Sequence, residues 1–175
     1  MKIYISGKIC EDVISQETAE KFARAEKMLE GLKDGKGRRM FKEVFNPADP
    51  SWQRAMGEAY NSYLDAGFSV MDKYTYVLMQ DIKRLAKYDA IYLLEDYDDS
   101  PGATAEYHFA LATGKKMFFQ EEIDAREYMV GEYLRTRKSQ LRGDELPIER
   151  DIEQMHRYVD KNVSRVWLPI DEDTA

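Results

Sequence analysis

"DAIYLLEDYDDSPGATAEYHFALATGKKMFF", residues 89–119, carries a strand, a turn, a helix and a second strand in that order. "DAIYLL" (89–94) is a short apolar run of strand length, ended by the acidic turn "EDYDD". Ser100 is the type of residue that caps a helix, and Pro101 suits the first helical position. Gly114 can close the helix, so "KKMFF" (115–119) begins the next strand.

The same alternation extends towards both ends of the chain. "KIYIS" (2–6) is a β-branched strand that stops at Ser6-Gly7. From Gln16 to Leu32 the apolar residues Ala19, Phe22, Ala23, Ala25, Met28 and Leu29 recur at helical spacing. "EVFNP" (43–47) is a second strand halted by proline, and Asp49-Pro50 starts a helix running to about Ala66. A helix from Lys73 to Lys87 leads into the quoted segment. Helices at 123–139 and 147–162 follow, and "VSRVWLPI" (163–170) has the composition of a last strand.

Strands alternating with helices predict an α/β fold, a flavodoxin-like or Rossmann-like three-layer sandwich. The mainly parallel sheet is expected to have five strands, with added C-terminal helices. Neither a repeat nor a linker divides the chain, so 1–175 is expected as one domain. Its core is 1–120, and 121–175 forms a helical extension. Ligands of such sheets bind beyond the carboxyl ends of the strands, where strand order reverses. The loops expected to meet there are "SGKICED" (6–12) and "EDYDDSPG" (95–102).

Composition narrows the function. Hydrophobic residues make up 43% of 175, enough for a core, and no apolar run approaches a membrane span. The net charge of −7 argues against a nucleic-acid polymer as partner, although a local pocket can still take one small anion. One cysteine, Cys10, allows no internal disulfide and fits a cytoplasmic setting. Two histidines and one cysteine do not make a zinc site of recognisable spacing. The P-loop, the dinucleotide glycine motif and the nucleophile elbow are all absent, and Cys10 has no matched histidine.

Two carboxylates break the local pattern. Asp81 lies inside the apolar stripe Tyr74, Val77, Leu78, Ile82 and Leu85. An unpaired charge there costs several kcal/mol, so Asp81 is paired, protonated, turned into a cavity, or set at the stripe's edge. Glu106 sits in the second turn of its helix, with Gly102, Ala103, Phe109 and Ala110 at spacings of three and four. None of these can pair with it. It is either a surface glutamate or a group facing open space. Asp89 precedes a strand, where aspartates commonly cap turns. Tyr4 faces either the core or the crevice.

With these residues identified, the chain resembles the nucleoside 2-deoxyribosyltransferase superfamily, which includes 2'-deoxynucleoside 5'-monophosphate N-glycosidases. The resemblance rests on "IYISGKI", "VFNP", "QDIKRLAKYDAIYLL" and "SPGATAEYHFALATGKK", and covers roughly residues 1–120. It implies cleavage or transfer at an N-glycosidic bond. On that resemblance Glu106 is the nucleophile, Tyr4 orients it, and Asp81 handles a proton at the leaving base. Asp89 would be a supporting acid. Ser6, Gly7, Lys8 and Ile9 match the loop near the sugar 5' position, and Ser100 and Gly102 complete the substrate contacts. A serine at position 100, with Lys8, favours a nucleotide over a free nucleoside.

The resemblance also implies a small-molecule nucleoside or nucleotide as partner, no metal or organic cofactor, and a homodimer or higher homo-oligomer. Two other readings stand beside it. One is a non-catalytic nucleotide-binding or sensing module on the same fold. The other is a phosphoribohydrolase, which "SPGATAE" echoes without the second glycine.

Overall fold

The computed structural model describes residues 1–9, 14–68, 70–138 and 149–170. Cys10, Glu11 and Asp12 of the "SGKICED" loop lie outside the described residues. So do the last position of the helix expected at 123–139 and the first two of that at 147–162. The elements are β1 (Lys2–Ser6), α1 (Gln16–Gly31), β2 (Glu43–Phe45), α2 (Pro50–Asp65), α3 (Lys73–Leu85), β3 (Ala90–Leu93), α4 (Pro101–Ala112), β4 (Lys116–Phe119), α5 (Glu122–Lys138) and α6 (Glu149–Asn162).

Side-chain caps set where four of the helices begin. Ser15 accepts from Thr18 N, Asp49 from Ser51 N and Trp52 N, Asp72 from Thr75 N, and Ser100 from Ala103 N. Each such cap stabilises its helix by about 1 kcal/mol. At the other end of α4, Gly114 takes φ 67°, the left-handed conformation that glycine adopts without a Cβ clash.

The sheet is parallel with strand order β2-β1-β3-β4. Strand order reverses between β1 and β3, because β2 lies on one side of β1 and the later strands on the other. Right-handed crossovers therefore send α1 to one face and α3 and α4 to the other. This makes the fold doubly wound, flavodoxin-like in its order. Alternate residues of β1 serve opposite faces. Tyr4 and Ser6 point towards α4, while Ile3 and Ile5 take the other face. All four are fully buried.

The expected fifth strand is not formed. Val163–Arg165 winds into a 3₁₀ turn, with Val166 N and Trp167 N both bonding back to Val163 O. Only a single parallel bridge, Phe119 to Trp167, remains of the ladder. Among the described residues the sheet thus has four strands, not the expected five.

The chain forms two compact units, one built on Met1–Met117 and the other on Phe118–Pro169. In the second, Arg126 bridges Glu122 and Asp160, and the Tyr133 and Tyr158 rings lie 5.5 Å apart. Among the described residues no helix is long and apolar enough to cross a membrane.

Candidate active site

Beyond the carboxyl end of β1 lies a cavity of about 430 Å³, bordered by α3 and the start of α4. That is within the size range of small-molecule sites. Tyr4, Asp81 and Glu106 all line it. Glu106 is only 6% exposed, so it is no surface residue. Its carboxylate is held from both sides: Tyr4 Oη donates to Oε1 at 2.6 Å, and Ser6 Oγ donates to Oε2 at 2.6 Å. Hydrogen bonds to a charged acceptor each contribute about 1.5–3 kcal/mol, which offsets part of the cost of burying the carboxylate. The two donors lie two residues apart on one strand, so the β pleat itself sets the grip.

Asp81 is turned into the cavity and accepts a hydrogen bond from Trp52 Nε1 at 3.1 Å. The α3 stripe that looked like core at Tyr74, Val77 and Leu78 in fact lines the same space, and only Leu85 is fully buried. A small residue keeps that space open: a Cβ on Gly102 would come within 3.1 Å of Tyr74 Oη, while Gly7 lets its loop pack on Leu94, whose side chain a Cβ there would approach to 2.7 Å.

The other expected residues divide. Gly7, Ile9, Ser100 and Gly102 line the cavity. Ser6 lies behind its wall, with its hydroxyl engaged by Glu106. The Lys8 backbone N–H donates to Asp96, which also pairs with Lys21. Lys8 is exposed and does not line the cavity. Asp89 sits at the start of β3, accepting from Lys2 N at 2.7 Å, at the opposite end of the sheet from the cavity. Its contacts pin the strand starts together.

Trp52, Gln53 and Lys73 are the residues that sequence reading missed. Gln53 and Lys73 line the cavity, and Trp52 bonds Asp81. They belong to α2 and the first turn of α3, whose starts are set by the Asp49 and Asp72 caps.

Residues 1–119 match the family described as domain of unknown function (DUF4406). The chain belongs to that family. No curated protein matches the chain, and no solved structure does. The DUF4406 region runs from β1 to β4 and contains every described residue that lines the cavity.

Within this DUF4406 region the two carboxyls share an electrostatic problem. Burial raises the Asp81 pKa to about 7, against the pull of the Trp52 hydrogen bond and the Arg84 charge. Burial and then the Asp81 charge raise Glu106 to about 8, while the Ser6 and Tyr4 hydroxyls pull it down. Tyr4 is itself pushed well above the ordinary tyrosine value, first by burial and then by Glu106, so it stays a proton donor to the carboxylate. Near neutral pH the pair therefore holds about one proton between two sites.

This has a consequence for stability. Between the ordinary glutamate value of 4.5 and about 8, folded Glu106 keeps a proton that the unfolded chain has released. The folded state then binds more protons, and stability falls as pH rises through that window. Glu106→Gln removes this cost. Its melting temperature should exceed that of the wild type at pH 8.5, by roughly 4–8 °C if about 2 kcal/mol is recovered. At pH 5 the advantage should shrink or vanish. Thermal melts across pH check this, and a pH-independent difference would contradict it.

Proposed function

We propose that the protein cleaves the N-glycosidic bond of a 2'-deoxynucleoside or its 5'-monophosphate, with Glu106 as nucleophile. One observation carries this above the others: a buried glutamate, gripped by two hydroxyl donors, borders a ligand-sized cavity together with a second, independently held carboxyl. Breaking a glycosidic bond creates an oxocarbenium-like transition state that a carboxylate can stabilise or trap. The leaving base needs a proton, which a carboxyl with a raised pKa supplies.

A Glu106 oxygen donates an electron pair to C1' while the C1'–N bond breaks, and its pair leaves with the base. Protonated Asp81 gives its proton to that base, and a deoxyribosyl ester remains on Glu106. Water then attacks C1', the ester bond returns its electron pair to Glu106, and Asp81 takes the water's proton. A second base in place of water would give transfer. The two carboxyls supply both nucleophile and proton, so these steps use no cofactor.

The start of α4 supports the monophosphate. Ser100, Pro101, Gly102 and Ala103 line the cavity, and the positive end of a helix dipole favours an anion. Lys73 borders the same space. On this proposal the partner is a small nucleotide or nucleoside, and the chain works as a homo-oligomer in the cytoplasm.

Incubation with a panel of deoxynucleosides and their 5'-monophosphates, followed by chromatography for free base, tests it. Release is expected from at least one monophosphate, faster than from the matching nucleoside. No release from any member would overturn the proposal. Tight nucleotide binding without turnover would point instead to a sensing module.

A further inference from the structure

Asp81 has one oxygen whose partner is defined. Trp52 Nε1 donates to Oδ1, and an indole N–H can only donate. An oxygen receiving that bond is a poor place for the acid's own proton, which leaves Oδ2. The indole is in turn held from several sides. Its ring meets Phe45 edge-on at 5.1 Å, and the Arg84 guanidinium lies 4.5 Å over Trp52 and 4.8 Å over Phe45. Phe45 stacks on Tyr4 at 5.2 Å, and Tyr4 bonds Glu106. A continuous set of contacts thus joins one carboxyl to the other.

We propose that Trp52 is a positioning residue that orients Asp81, occupying Oδ1 so that Oδ2 presents the proton to the leaving base. This rests on the proposed function for its catalytic meaning, though the interaction can be tested without turnover. The charged and titratable groups around Asp81 are Arg84 and Lys73 on α3, Glu106 on α4 and Tyr4 on β1. Trp52 and Arg84 both favour the ionised form of Asp81, so loss of the indole N–H raises the pH at which Asp81 gives up its proton.

The wild-type protein offers a direct readout, because it has only two tryptophans. Trp167 Nε1 donates to the Gln120 carbonyl, which does not titrate, and serves as an internal control. In ¹H–¹⁵N spectra across pH, the Trp52 indole signal should shift sigmoidally near neutrality while that of Trp167 stays fixed. In Asp81→Asn the Trp52 shift should vanish. A Trp52 signal that ignores pH, or that still titrates in Asp81→Asn, overturns the proposal whether or not the protein releases base.

Kinetics then test the catalytic part. Trp52→Phe keeps a ring against Phe45 and Arg84 but deletes the donor. Its kcat should fall on the order of 10-fold with KM little changed. The alkaline limb of its pH profile should move to higher pH. In an Asp81→Asn background the same change should have almost no further effect, since the two act as one unit. Additive losses with an unmoved pH profile would make Trp52 a packing residue only. Absence of base release by the wild type would defeat the proposed function and leave the spectroscopic result to decide the Trp52–Asp81 link.

Discussion

Glu106→Gln is expected to retain its fold and nucleotide binding while losing base release by about 10³-fold or more in kcat. Glutamine fills the same volume, and its amide oxygen can still accept from Tyr4 or Ser6, whose hydroxyls hold the native carboxylate at 2.6 Å. What it lacks is the electron pair of an anion. Circular dichroism and nucleotide titration would establish the fold, and chromatography of free base would give the rate. Wild-type protein quenched during turnover should carry a deoxyribosyl adduct on the peptide containing Glu106, visible by mass spectrometry. Undiminished release by the variant would remove Glu106 from the chemistry. Lost release without an adduct in the wild type would favour direct attack by water.

Asp81→Asn is expected to lower kcat by roughly 10²–10³-fold, the usual share of a general acid. The loss should be greatest for bases that leave only when protonated. The pH profile separates this role from a structural one. Wild-type kcat/KM should be bell-shaped. Its two limbs are the two ionisations of the Asp81–Glu106 pair: the acid limb is where the pair takes up a second proton, and the alkaline limb is where it loses its last one, so the apparent values belong to the pair. Without Asp81 the alkaline limb should disappear. An unchanged bell in the variant would assign the alkaline limb to another group.

The sequence carried the helix starts because caps are local. Ser100, Pro101 and the Asp49-Pro50 pair act on backbone groups within one turn, so short-range chemistry suffices to place α4 and α2. Asp81 and Glu106 were visible as exceptions for the same reason, since Asp81 interrupts an apolar stripe and Glu106 sits among neighbours that cannot satisfy a charge. Their surroundings were not visible. Tyr4 and Ser6 reach Glu106 across 102 and 100 residues of chain, and no local pattern links a strand hydroxyl to a helix carboxylate at that distance. The last strand failed where composition was an insufficient guide: "VSRVWLPI" is apolar enough to pair, yet its first residues wind into a 3₁₀ turn and it keeps a single bridge.

By itself, then, the amino-acid order determined an α/β alternation, its capped helices and two misplaced carboxylates, because these follow from periodicity and backbone chemistry. Only the tertiary structure decided that the carboxylates face one cavity, that Ser6 grips Glu106 and Trp52 meets Asp81, and that Asp89 stands at the far end of the sheet. Those outcomes depend on strand order and crossover hand, which bring distant residues together or keep them apart.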